Sequence, residues 1–476
     1  MMLAVHASME LTKMKIDNSK PGHPFVDKLG RTRVFHGINE VQKEFPWYPS
    51  LLLESKRLDE IASWGFNVVR LGMMWSGVEV APFKVNETYI KIMDIIITSL
   101  SKRGIYVILD MHQDALSSNF GTYDGAPKWL VDSLPAPSNP YPFPFSKNPG
   151  NFNYDYVTTA CGQAFANIYN NESQALDHLG FFWKTVASRF GHYDNVLGYE
   201  LINEPWPGDV LSDPLLFLPG HTGSTVLQPL YEKISSFIRS VDEETIIFYE
   251  PVTWGMIIHG DTLGTGFSHV PGGDKYKDRS VLSFHYYCWF AGFDDKNPFP
   301  TWLRDLCDKL FFPQVLSTVS KDIKDTGGGM FLTEFGLCQA TAPHDSTEYQ
   351  ECLSVLNLSD GSLLSWTYWD SAFYYSNGTA ILDNVKLFGR TYAMAVAGQA
   401  QKVAFNSKTS ALSFCYTPDP QTTAPTVIYA NPVHYPQGFA VNVTSATYKI
   451  VNNNYIEVTA STVKHNVTVV VTRRDN

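Results

Sequence analysis

The chain has 476 residues, a formal net charge of −11, and 44% apolar and 17% charged residues. That length predicts a large domain with a smaller companion. The acidic balance without a long basic run argues against a nucleic-acid partner, and no apolar run approaches the roughly 18 residues of a membrane span.

Residues 1–30 begin Met1-Met2-Leu3-Ala4-Val5-His6-Ala7-Ser8, too short for a signal h-region, and read as a leader or extension. From about residue 31 to 400, strand-like and helix-like segments alternate. The strand candidates are Val34–Asn39, Asn67–Trp75, Tyr106–His112, Val196–Glu204, Ile246–Glu250, Val281–Tyr287, Met330–Phe335 and Leu363–Trp369. Helical patterns lie between most of them, as in Leu51–Trp64, Tyr89–Arg103, Ser173–Phe190, Val226–Val241 and Leu303–Ile323. Eight such units predict an α/β fold, a (β/α)8 TIM barrel over residues 31–400. A doubly wound sheet would want a Gly-rich phosphate turn after its first strand, and His36-Gly37-Ile38-Asn39 offers none. Asp114–Glu172, rich in Pro, Asn, Ser and Gly, is expected to be a long lid or binding loop. Residues 401–476 turn Val-, Thr- and Tyr-rich, as in Val467-Thr468-Val469-Val470-Val471, and predict a small C-terminal β-sandwich.

Two apolar runs end in a glutamate: Leu201-Ile202-Asn203-Glu204-Pro205 and Phe331-Leu332-Thr333-Glu334-Phe335-Gly336. Ends of barrel strands are where this fold places chemistry, and two carboxylates in one cleft suffice to cleave a glycosidic bond. Arg70 lies on an otherwise apolar strand, so it wants a carboxylate; Glu334 is the candidate, and the pairing would keep it ionised. Asp110, His112 and Asp114 fall on one side of the third strand. A metal site is one reading of that set; hydrogen bonding to a sugar is the preferred one. On the sixth strand Tyr287 is placed to bond the nucleophile and His285 to contact the acid/base. Asn203 can donate to a sugar hydroxyl. Trp366 is expected to floor the sugar site, with Trp369 pointing the other way into the core. The six cysteines have neither CxxC nor metal-ligand spacing, and Cys338 with Cys352 is a candidate pair if the protein is secreted.

Together these residues resemble glycoside hydrolase family 5. The resemblance is carried by Gly65-Phe66-Asn67-Val68-Val69-Arg70-Leu71, Asn203-Glu204-Pro205, His285-x-Tyr287, Glu334 and Trp366. Within that family, Asp110-Met111-His112-Gln113-Asp114, Asp124-Gly125-Ala126-Pro127-x-Trp129 and the stretch from Gly389-Arg390-Thr391-Tyr392 to Gly398 look like endoglycoceramidases. Where the family often has Pro after that Arg, this chain has Thr391.

The resemblance implies a retaining glycosidase that separates an intact glycan from ceramide in glycosphingolipids, without metal or cofactor. Glu204 would be the acid/base and Glu334 the nucleophile, with Arg70, Asp110, His112, Asp114, Asn203, His285, Tyr287 and Trp366 binding the substrate. Apolar loops at Leu211–Gly220, Trp289–Phe293 and Phe299–Trp302 fit a wall for the lipid or a transient membrane contact. A glucosylceramidase or β-glucosidase of the same family, an endo-β-glucanase, and a catalytically dead binding protein are the alternatives. Intact carboxylates argue against the last. Sequons at Asn86, Asn171, Asn357, Asn377, Asn442 and Asn466 favour a secreted, lysosomal or digestive setting over a cytosolic one.

Overall fold

Each of the eight apolar runs contains a strand in the computed structural model, which describes residues 10–252, 264–288, 305–336, 338, 340–370 and 373–474. In chain order the strands are His36–Glu40, Val68–Gly72, Tyr106–Asp110, Val196–Glu200, Ile246–Tyr249, Ser280–Tyr286, Gly329–Phe335 and Trp366–Tyr368. They close into a barrel in which every neighbouring pair is parallel and the eighth strand meets the first. Parallel strands under a helical layer are buried on both faces, which is why these runs read as continuously apolar. The helices repeat the pattern on one side only: Gln228–Arg239 buries Leu230, Tyr231, Ile234 and Ile238, a three-to-four spacing. Helix Glu87–Ser101 starts where the Asn86 side chain accepts the Tyr89 amide proton at 3.2 Å.

Two boundaries differ from expectation. The N-terminal extension is structural: strands Lys15–Ile16, Phe25–Val26 and Thr32–Arg33 join a seven-stranded sheet with Tyr392–Val396, Thr426–Tyr429, Tyr455–Ala460 and Ala446–Val451. Two-residue strands carry no readable periodicity, so only tertiary pairing reveals them. Met14, Ile16 and Phe25 then pack beneath the barrel on Phe35, Tyr106, Phe248 and Phe331, closing its N-terminal end. The C-terminal sandwich correspondingly starts at Tyr392 rather than residue 401, and its second sheet has four strands. Residues 1–9 lie outside the described part.

The expected loop Asp114–Glu172 is not structureless. It holds helix Thr159–Tyr169 and two one-turn helices, Lys128–Val131 and Phe152–Asp155. Cys338 pairs with Cys352 as anticipated; Cys288 also pairs with Cys307, and Cys161 and Cys415 are free.

Candidate active site

The C-terminal ends of the strands converge on Arg70, whose side chain is fully buried. Its guanidinium donates to Glu334 at 2.6 Å, to Asn39 at 3.0 Å, to Asn203 at 2.9 Å and to Glu200. Asp110 lies 3.1 Å away and Glu250 3.7 Å. One cation facing four buried carboxylates cannot keep all of them ionised at no cost, so protons must be shared out among them. Burial, opposed by Arg70, raises the Asp110 carboxyl to about 7. Burial likewise pushes Glu250 well above the usual carboxylate range.

Glu334 goes the other way. Burial alone would raise it, but His285 and Arg70, together with the Tyr287 hydroxyl donating at 2.7 Å, hold it at about 2. It is therefore a carboxylate at any ordinary pH. Glu204 stands across the cleft at the end of the fourth strand, the more exposed of the two side chains. One carboxylate oxygen of each, and a ring nitrogen of His285 between them, all lie within 4.8 Å of one another. His285 contacts Glu204 at 3.0 Å through Nδ1. Burial disfavours a charged imidazole, but Glu250, Glu334 and Glu204 raise His285 to about 10.

Glu204 has φ of 44°, in the left-handed region that a side chain makes costly. Three bonds hold it there. Gln113 Nε2 donates to the carbonyls of Asn203 at 2.7 Å and Glu204 at 3.0 Å, and the Glu204 amide donates to Glu250 at 3.3 Å.

His112 and Asp110 bond at 2.7 Å, and burial lowers His112 to about 3, so the imidazole is neutral. Its Nε2 is buried and makes no hydrogen bond among the described residues, 3.7 Å from Asp114. Asp114 accepts from Lys43 and, at 2.8 Å, from Tyr123.

Trp366 is a correction. It is fully buried, stacked on His36 at 4.5 Å and edge-on to Phe335, outside the site. Trp369, expected in the core, is the aromatic that faces the cleft. Its ring lies parallel to His112 at 5.2 Å, with Lys43 4.6 Å from its centre. Side chains alternate along a strand, so a register misjudged by one residue exchanges inside for outside.

The other expected residues, Arg70, Asp110, His112, Asp114, Asn203, Glu204, His285, Tyr287 and Glu334, come together. Sequence reasoning missed Glu200 and Glu250, although both end apolar runs just as Glu334 does. It also missed Asn39, Lys43 and Gln113. Each carboxylate–His grouping that could approach a metal includes a carboxylate already bonded to Arg70, Glu200 in one and Glu334 in the other, and the guanidinium would repel a divalent ion. Of the apolar loops, Leu211–Gly220 follows Glu204 and exposes Leu215 and Phe217; Trp289–Phe293 and Phe299–Trp302 lie outside the described residues.

Residues 26–374 match the model of the cellulase family, glycosyl hydrolase family 5, and residues 390–471 match the glycoside hydrolase family 5 C-terminal domain. An endoglycoceramidase of Cyanea nozakii is 35% identical over 471 residues, covering 90% of this chain and 88% of its own. One of Hydra vulgaris is 35% identical over 451 residues, covering 87% and 80%. The solved endo-glycoceramidase II of Rhodococcus sp. with a cellobiose-like imidazole superposes with a TM-score of 0.77 at 25% identity, covering 94% of this chain and 99% of that one. The chain belongs to glycosyl hydrolase family 5, in its endoglycoceramidase branch.

Proposed function

We propose that this chain hydrolyses the β-glycosidic bond between glycan and ceramide in glycosphingolipids, releasing both intact. The observation that carries the reading is a pair of glutamates, Glu204 and Glu334, with carboxylate oxygens within 4.8 Å, in a chain 35% identical to endoglycoceramidases. Retaining glycosidases set their carboxyl groups about 5–5.5 Å apart, inverting ones about 6.5–9.5 Å. Glu334, ionised and aimed by Arg70 and Tyr287, attacks the anomeric carbon while Glu204 protonates the departing ceramide oxygen. Glu204 then takes a proton from water as that water displaces Glu334, and the configuration is retained. Trp369 offers the sugar a flat apolar face, and His112, Asp114 and Lys43 meet its hydroxyls.

Incubation with lactosylceramide, glucosylceramide and a ganglioside tests this. Intact oligosaccharide is expected; free glucose as the only sugar released would overturn it in favour of a glucosylceramidase. The ceramide chains extend along the loop after Glu204, where exposed Leu215 and Phe217 also favour transient contact with a lipid surface. Serine at both positions should lower selectivity for ceramide over an aryl aglycone, and unchanged selectivity would sink the lipid wall. A secreted, lysosomal or digestive setting is supported by two disulfides and by the exposed sequon residues Asn171, Asn377, Asn442 and Asn466. Loss of mass on enzymatic deglycosylation of the native protein checks it.

A further inference from the structure

We propose that Glu250 is the positioning residue of the acid/base, aiming Glu204 through its main-chain amide and through His285. Glu250 follows the fifth strand directly and is buried. Its carbonyl is fixed by the Tyr231 hydroxyl at 2.7 Å, so the residue sits on a rigid base at the centre of the barrel end. From there the two carboxylate oxygens reach in different directions.

Oε2 accepts the Glu204 amide proton at 3.3 Å. That bond acts on the residue whose left-handed backbone decides where its side chain points. A main-chain rotation there would swing the carboxyl away from the glycosidic oxygen. Oε1 stands 3.5 Å from His285 Nε2. Neither atom makes a hydrogen bond among the described residues; Arg70 stands 3.7 Å from Oε1, and a carboxylate oxygen of Glu200 lies within 4.8 Å of both residues. The opposite ring nitrogen of His285 is the one on Glu204, at 3.0 Å. Glu250 thus touches Glu204 twice, once directly and once across an imidazole.

The consequence is chemical. When Glu204 gives its proton to the leaving group it becomes a carboxylate, and His285 Nδ1–H is the donor that meets the new charge. A carboxyl oxygen of Glu250 at Nε2 gives the ring's second nitrogen an acceptor and fixes the imidazole plane, leaving Nδ1 turned to Glu204. Arg70, Glu200, Glu334 and the Tyr287 hydroxyl share this space, so Glu250 works within a field they also set.

The inference rests on Glu204 being the acid/base, and the test uses substrates that contain no ceramide. General-acid help matters for a poor leaving group and hardly at all for an activated one. Glu250→Gln should lower kcat/KM for octyl β-lactoside by about tenfold or more, while dinitrophenyl β-lactoside stays within about threefold. Glu250→Leu, which removes both oxygen acceptors where Gln keeps one, should widen the gap. In a Glu204→Ala background, Glu250→Gln should cost nothing further on the octyl substrate. Equal losses on both substrates would overturn the proposal and make Glu250 merely structural, and so would an unchanged octyl rate. The isosteric Gln variant, folded by its melting curve, decides the matter should Leu fail to fold. If Glu204→Ala shows no leaving-group dependence, the acid/base assignment falls and this inference with it. Inactivity on glycosphingolipids alone would fall only on the substrate reading.

Discussion

At the N-terminal ends of the barrel strands Phe35, Tyr106, Phe248 and Phe331 meet Phe25 from the extension; a few residues further along the same strands Asn39, Asp110, Glu250 and Glu334 meet Arg70. One end is a dry aromatic cluster, with Phe331 within 6.5 Å of the rings of Phe25, Phe35 and Phe248. The other concentrates charge that water would solvate better. The first stabilises the molecule in the ordinary way, by apolar burial. The second is tolerated because that burial is in hand, and what it gains is preorganised charge where the reaction needs it.

Four experiments strain this contrast, beginning with the greatest effect. Glu334→Gln should reduce turnover on every substrate by on the order of 10⁶-fold, yet melt at or above the wild-type temperature, because Arg70 keeps three other carboxylates. A clearly lowered melting temperature would show that the polar end also stabilises. Glu204→Ala should cost about 10²–10⁴-fold in kcat/KM for a poor leaving group and little for an activated aryl glycoside. Phe331→Ala at the dry end should lose about 3–5 kcal/mol of unfolding free energy, with kcat/KM of the folded enzyme nearly unchanged. The mildest effect is in pH dependence. Asp110 carries a folded-state value of about 7, above its ordinary one, so it binds its proton more tightly folded than unfolded. Its contribution to stability is present below about pH 4 and is lost as pH rises to about 7. Asp110→Asn should flatten that part of the melting-temperature profile.

How far this was legible follows from the same geometry. Barrel strands buried on both faces announce themselves as apolar runs, and a polar residue ending such a run stands out; Glu204, Glu334 and Arg70 were visible for that reason. Glu250 carries the same signal and went unread because its partners, His285 and the Glu204 amide, lie 35 and 46 residues away. Lys43 sits in a loop and reaches Asp114 across 71 residues, which no local pattern reports. Trp366 and Trp369 show the limit of alternation: the strand ends at Tyr368, and parity alone does not say which ring faces inward.

The extension that closes the dry end has a consequence in time. Arg33 pairs with Ala395, about 360 residues downstream. At a synthesis rate of about 5–20 residues per second, roughly 20–70 s separate the emergence of the two partners. Through that interval the three short N-terminal strands can pair only with one another, and the seven-stranded sheet is completed once Tyr455–Ala460 has left the ribosome.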